Sequence, residues 1–150
     1  MNKFKFMVLT LAVIAFASLN SAAQASGIGF INYKKVQENY AVAQDAIKEV
    51  DAKGLELQQY LVDKEKEFKA LDTPLKKKNF EEKTAKDFKM KQDAYLALKV
   101  QKEEAVYGKI QEAAKQVLVD QKLDAIVDFR IIFVGGIDIS DLVIQKLNCK

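Results

Sequence analysis

From Val36 to Leu71, apolar or small residues recur at alternating steps of four and three. The series is Val36, Tyr40, Ala43, Ile47, Val50, Gly54, Leu57 and Leu61, with Lys64 as the one polar break, then Phe68 and Leu71. A strict seven-residue repeat keeps one narrow stripe turned toward a partner helix, so the spacing predicts a long coiled-coil helix rather than a helix of a globular core. Running from Lys34 to Leu71, it would make a rod of about 55 Å at the usual rise per residue. That length projects away from any body this chain can build.

The only proline is Pro74, preceded by Asp72 and Thr73. Thr73 as N-cap and Pro74 at the first helical position read as a turn that ends one helix and starts the next. A second helix is expected from Leu75 to Gln121, with a seam of Phe80, Thr84, Phe88, Lys91, Tyr95 and Leu98, continuing through Lys102, Val106, Ile110, Ala113 and Val117. Folded back as an antiparallel hairpin, this register sets Phe68 near Phe80, Leu61 near Phe88, Val50 near Leu98 and Gly54 against Tyr95. Gly54 and Gly108 each weaken a helix by about 1 kcal/mol relative to alanine, so bends are expected there.

The period changes outside the hairpin. Ile28-Gly29-Phe30-Ile31 reads as a short strand before the first helix. Leu123–Asp128 and Phe129–Val134 are rich in β-branched and aromatic residues and read as two more strands. Gly135-Gly136 fits a bend or a close backbone approach, since it lacks the spacing and lysine of a phosphate loop. Ser140 is placed to cap a last short helix, Asp141–Leu147. The expected fold class is α+β: a long antiparallel coiled-coil hairpin inserted in a small β-rich body. Body segments are expected at 26–33 and 122–150, and helical arms at 34–121 with a tip near 72–75.

The first twenty-five residues have another character. Lys3 and Lys5 precede an apolar run from Phe6 to Leu19, and Ala23-Gln24-Ala25 supplies the small residues of a signal-peptidase site, so residues 1–25 read as a signal peptide cleaved before Ser26. Without those residues the formal charge falls from +3 to +1, because two lysines and no acid are lost. A near-neutral total argues against general or specific nucleic-acid binding. Residues 64–91 nevertheless carry ten lysines against six acids. Lys76, Lys77, Lys78 and Lys83 are therefore candidates for a basic arm tip that touches anionic lipid or acidic segments of a partner.

Catalytic chemistry is missing from the sequence. There is no histidine, hence no imidazole base or ligand, and the single cysteine, Cys149, has no partner for a disulfide. The acid pairs Glu81-Glu82 and Glu103-Glu104 sit among lysines on helical faces, where they read as solvated charge. The expectation is no catalytic residue, no metal and no cofactor: a protein that is not an enzyme and works by surface and shape. A two-helix hairpin cannot bury both faces of its helices, so copies of the chain are expected to associate.

The opening IGFINYKKVQENY and the closing AKQVLVDQKLDAIVDFRIIFVGGIDISDLVIQKLN resemble the corresponding stretches of the Skp (OmpH) family of periplasmic chaperones. The anchors are Leu123, Asp124, Ile126, Val127 and Asp128, then Asp138, Ile139 and Ser140. Between the ends, the resemblance is one of coiled-coil character alone. It implies a homotrimer with tentacle-like arms around a cavity, in which Phe30, Ile31, Ile126, Val127, Ile132 and Phe133 pack the body and the subunit contacts. It also implies ATP-independent holding of unfolded outer-membrane proteins in the periplasm. The near-neutral charge departs from the more basic character of that family.

The competing reading is an exported coiled-coil spacer or envelope tether. Protein recovered from the periplasm is expected to have the intact mass of residues 26–150. A mass that includes residues 1–25 would favour the tether.

Overall fold

The computed structural model describes residues 27–149; the segment read as a signal peptide lies outside them. Strand β1 (Ile28–Ile31) leads into a short helix α1 (Tyr33–Glu38), the long helix α2 (Ala41–Lys69) and the longer α3 (Pro74–Asp120). After the hairpin come β2 (Ala125–Asp128), a 3-10 turn (Phe129–Ile131), β3 (Ile137–Asp138) and α4 (Ser140–Asn148). The class is α+β, with a long helical hairpin rising from a small three-stranded sheet.

The turn at the arm tip follows the local chemistry. Thr73 Oγ1 accepts from the Lys76 N–H at 3.3 Å, and Pro74 opens α3 where no intrahelical donor is needed. At 47 residues α3 runs about 70 Å. Gly54 and Gly108 both lie inside uninterrupted helices. At the far end the Leu123 N–H reaches back to the Leu118 carbonyl at 2.9 Å, while Lys122 takes the left-handed conformation at φ 53°. This is a glycine-type C-terminal motif made with a lysine.

Four expectations are corrected. The first helix does not run unbroken from Lys34: Asn39 and Tyr40 interrupt it, with Tyr40 extended at φ −105°, ψ 114°. Side chains bind backbone carbonyls at the break, Gln44 Nε2 donating to the Glu38 carbonyl and Asn39 Nδ2 to the Lys35 carbonyl, which also accepts from the Asn39 N–H. The break turns the Tyr40 ring into the core. Second, Phe129–Val134 is not a strand. The Asp128 carboxylate accepts from the Arg130 N–H and guanidinium, which stops β2 in a capped turn. The third strand comes only after Gly135 and Gly136, both at φ 85°. A Cβ on Gly136 would lie 3.1 Å from the Phe30 ring and 3.3 Å from the Ile28 carbonyl, so the close approach expected of this pair is real.

Third, the seam drifts by one position in two places. Ala46 is buried while Ile47 stands on the rim, and Tyr60 turns inward where Leu61 does not. Fourth, Ser140 does not cap α4: it is the first helical residue, the N-cap position falls to Ile139, and the Ser140 N–H donates to Asp138 Oδ1 at 2.9 Å.

The sheet order is β2-β1-β3 and every pairing is parallel: Ile28, Gly29, Phe30 and Ile31 lie opposite Ala125 through Asp128, and Gly29 and Phe30 opposite Ile137 and Asp138. The whole hairpin is thus the crossover that parallel pairing requires. Gly29 is fixed by packing, because a Cβ there would come within 2.8 Å of Leu123 Cδ1.

The core lies where the hairpin meets this sheet. Ile31, Val36, Tyr40, Ala43 and Ala46 from the first half pack with Val106, Ile110, Ala113 and Val117 of α3, closed by Leu123, Ile139 and Val143. Between residues 47 and 105 no described residue is fully buried.

Ser140 ties the two chain halves together. Its hydroxyl, fully buried, donates to Asp138 Oδ1 at 2.6 Å and accepts from the Asn32 N–H at 2.9 Å. Asn32 in turn caps α1 by accepting from the Lys35 N–H, and the Ile139 N–H bonds the Phe30 carbonyl. Replacing Ser140 with alanine orphans the Asn32 donor, and we expect a loss of about 1–3 kcal/mol in urea unfolding.

The Asp138 carboxyl is held below the usual carboxylate range by the Ser140 hydroxyl and N–H, with Lys35 adding to the effect. Its contribution is therefore complete above the unfolded value of about 3.9 and is lost as pH falls through its lower folded value. Urea midpoints measured from about pH 5 down to about pH 3 should fall less steeply for Asp138→Asn than for the parent chain. Parallel curves would show that Asp138 makes no such contribution.

Candidate functional site

The distal arm is held by aromatic rings and lysine stems. The Phe68 and Phe80 rings meet with centroids 6.2 Å apart, as the antiparallel register requires, and the Gly54 gap faces the Tyr95 ring. The seam lysines are accommodated over rings: Lys64 Nζ lies 5.6 Å from the Tyr60 centroid and 5.7 Å from that of Phe80, and Lys91 Nζ lies 5.1 Å from Tyr60. Their methylene stems cover apolar surface while their ammonium groups stay wet. The hydrogen bond to Glu67 raises the Lys64 pKa, so this lysine stays charged at neutral pH. Below them, the Tyr60 hydroxyl is buried without a partner among the described residues.

The arm carries a row of open grooves. One, of about 350 Å³, lies between Leu61, Phe68, Phe80 and Phe88. A second, about 380 Å³, is bordered by Leu57, Met90 and Ala94 with Lys53 and Glu56. A third, about 200 Å³, involves Ile47, Val50, Tyr95 and Val106. Each mixes apolar walls with charged rims, so each can take up an apolar side chain without demanding one shape. Leu61 and Phe88 border the same groove, as the register predicted.

The structure puts the four candidate tip lysines on the first turns of α3. Lys76 bonds Asp72 at 2.9 Å and pulls that carboxyl below its usual range. Lys77 lies over the Phe68 ring at 5.5 Å. Lys78 and Lys83 are exposed and make no ion pair among the described residues. Beside them Leu75 is 69% exposed, so the tip combines free positive charge with an apolar side chain.

The candidate body residues do not form one packed set within the chain. Ile31 is buried; Phe30, Ile126, Val127 and Ile132 are half-buried; Phe133 is fully exposed, with Ile131 and Val134 also out in solvent. Next to them an open groove of about 840 Å³ separates the sheet from the base of the arm. Tyr33 and Tyr107 stand in it with ring centroids 6.1 Å apart. Burial, helped by Tyr107 and Glu103, raises the Tyr33 pKa, so the Tyr33 hydroxyl keeps its proton at neutral pH. Neither tyrosine stood out in the sequence. The available signal was the seven-residue spacing of Val100, Tyr107 and Ala114, which runs beside the main seam.

Among the described residues no group of three His, Cys, Asp or Glu side chains is placed to hold a metal, and no helix is long and apolar enough to cross a membrane. Cys149 is exposed. No protein-family model and no curated protein matches this chain. Among solved structures it is similar to a chain from Caulobacter crescentus CB15 described as a candidate outer membrane chaperone (OmpH-like). Sequence identity is 14%, the TM-score is 0.41, and the alignment covers 82% of this chain and 84% of that one.

The aromatic contacts make a local prediction. Phe80→Ala removes the ring that Phe68 and Lys64 face, a loss of about 1–2 kcal/mol for a half-buried ring. Amide exchange should quicken across residues 64–88 while residues 106–117 keep their protection. Equal loosening at both ends would mean that the arm opens as one unit.

Proposed function

We propose that this chain is an exported, ATP-independent holdase of the periplasm that is not an enzyme. It would shelter unfolded outer-membrane proteins in a cavity between helical arms and so prevent their aggregation. The observation that carries this reading is the arm itself: a long two-helix projection with shallow apolar grooves, charged rims and no fully buried residue along most of its length. Many weak contacts on such a surface hold diverse partners without selecting one. The family resemblance of the two chain ends points the same way.

Assembly as a homotrimer is part of the proposal. Parallel sheets are ordinarily covered on both faces, yet Ile28 and Ile137 of this one are half-exposed and the segment Phe129–Val134 turns apolar side chains outward. Copies meeting through Phe30, Ile126, Val127, Ile132 and Phe133 would cover these surfaces. The tip lysines, with exposed Leu75, suit transient contact with anionic lipid.

The test is light scattering of a urea-unfolded outer-membrane barrel protein diluted into buffer with the purified chain and no nucleotide. Protection saturating near one assembly per barrel is expected. A folded sample giving none over a wide excess sinks the holdase and moves the spacer or tether forward. Sedimentation should report a trimer for the parent chain and a smaller species for Phe133→Asp; a monomeric parent would contradict the assembly.

A further inference from the structure

Helix α3 carries a second apolar stripe, of which only the lower end, Leu118, packs against the core. Leu96, Val100, Tyr107 and Leu118 fall within about 40° of one another around the helix, at about 100° per residue. The stripe that packs on α2, through Tyr95, Val106, Ala113 and Val117, lies about a third of a turn away. Leu96, Val100 and Tyr107 are each about half exposed, at 49%, 51% and 56%. At its lower end the stripe reaches the edge of the 840 Å³ groove beside the sheet, where Tyr33, Tyr107 and Leu118 line the arm side; the opposite side, Ile126 and Val127, is the surface assigned above to subunit contact. A helix with two apolar stripes is built to touch two partners, and α2 is only one of them.

The polar groups set into this stripe identify the second partner. Glu103 lies midway along the stripe, at its edge toward α2, and borders the same groove as Tyr33 and Tyr107; its nearest cation, Lys99, is 3.9 Å away and exposed. A second copy of α3 laid on the stripe would set Glu103 against Glu103 and strip water from both. It would also offer a helical backbone whose N–H groups are already used. An extended polypeptide brings free backbone donors and basic side chains to the carboxylate and the hydroxyls, while its alternate apolar side chains meet the stripe.

We infer that the stripe Leu96–Val100–Tyr107–Leu118, with Tyr33 and Glu103, is the seat for an extended apolar segment of an unfolded polypeptide. The inference rests on the holdase reading and locates the holding surface on the lower half of α3, away from the basic tip. From Leu96 to Leu118 the helix rises about 33 Å, which an extended segment of about ten residues would span.

Photo-crosslinking tests it. Benzoylphenylalanine in place of Val100 should capture a urea-unfolded outer-membrane barrel protein far more strongly than the same group in place of Ala105, which is exposed on the opposite side of α3. Val100→Asp should weaken barrel binding about tenfold while helicity and sedimentation stay unchanged, and Ala105→Asp should leave binding at the parent value. Equal capture at both positions overturns the stripe. So does a Val100 adduct that joins two copies of the chain without barrel protein, because the stripe is then a subunit contact. If the parent chain suppresses aggregation and Val100→Asp does so equally well, the stripe falls and the holdase stands. If the parent chain gives no protection, both fall.

Discussion

Two antiparallel helices can cover only the stripe where they meet. That constraint governs this molecule. Full burial ends at Ala46 on one arm and begins again at Val106 on the other, the level at which α1, α4 and the sheet come in as a second layer. Below it, each buried Val, Leu or Ile side chain contributes about 1.5–3 kcal/mol. Above it, the arm depends on half-covered rings and lysine stems, with single contacts on the order of 0.5–1 kcal/mol. A steep gradient of local stability along α2 and α3 follows, and the same lack of cover keeps the arm's apolar side chains available to other molecules.

The base resolves a topological demand that the arm creates. Parallel pairing of β1 with β2 means that the chain must leave the sheet and return along the same direction, and it does so over the full length of the hairpin. Nothing in the arm holds the two strands in place at that separation in sequence. The base does: the Asp124 N–H bonds the Gly27 carbonyl where β1 and β2 begin, Leu123 packs into the space left open at Gly29, and the buried Ser140 hydroxyl joins the end of β1 to the turn between β3 and α4. Lys35–Asp141 and Lys146–Asp120 ion pairs then clamp α4 across the foot of both arms. Exposed as they are, these pairs contribute little each, and the buried hydroxyl and the apolar core dominate.

The hairpin was legible because it obeys one strong periodicity. The Thr73-Pro74 turn, the Phe68–Phe80 meeting and the Gly54–Tyr95 fit all follow from a seven-residue repeat and antiparallel geometry. Its details were less so. Ala46 displaces Ile47 from the seam because an α-helix drifts against a strict heptad, and close approach near Val106 favours the smaller side chain. The break at Asn39–Tyr40 is set by a tertiary gain, the burial of Tyr40, together with side-chain caps that no local propensity announces. Phe129–Val134 misled for a related reason. Its β-branched and aromatic composition measures a fit to a half-buried surface, and within one chain that surface is absent. The same composition that suggested a strand therefore leaves Phe129, Ile131, Phe133 and Val134 exposed on the body. The sequence marked the lysines of the tip, but it gave no weight to Tyr33 and Tyr107, whose meeting depends on how α1 lies against α3.

Near-neutral charge and a basic tip are compatible once the ion pairs are mapped. Along the arms, lysines meet acids three or four residues away or across the hairpin, as in Lys48–Asp45, Lys53–Glu56, Lys109–Glu112 and Lys102–Glu49. Such pairs add little stability, but they cancel the field along the rod and leave its grooves electrically quiet. Exposed Lys78 and Lys83 stand outside this cancellation. At physiological salt the field of a few lysines fades within about 8 Å, so the tip acts on what touches it and does not govern the grooves farther down the arm. Contact along the arm is therefore decided by apolar surface and by a few acceptors such as Glu103, and contact at the end by charge. One chain of modest net charge can in this way present two chemically different surfaces, separated by most of the length of α3.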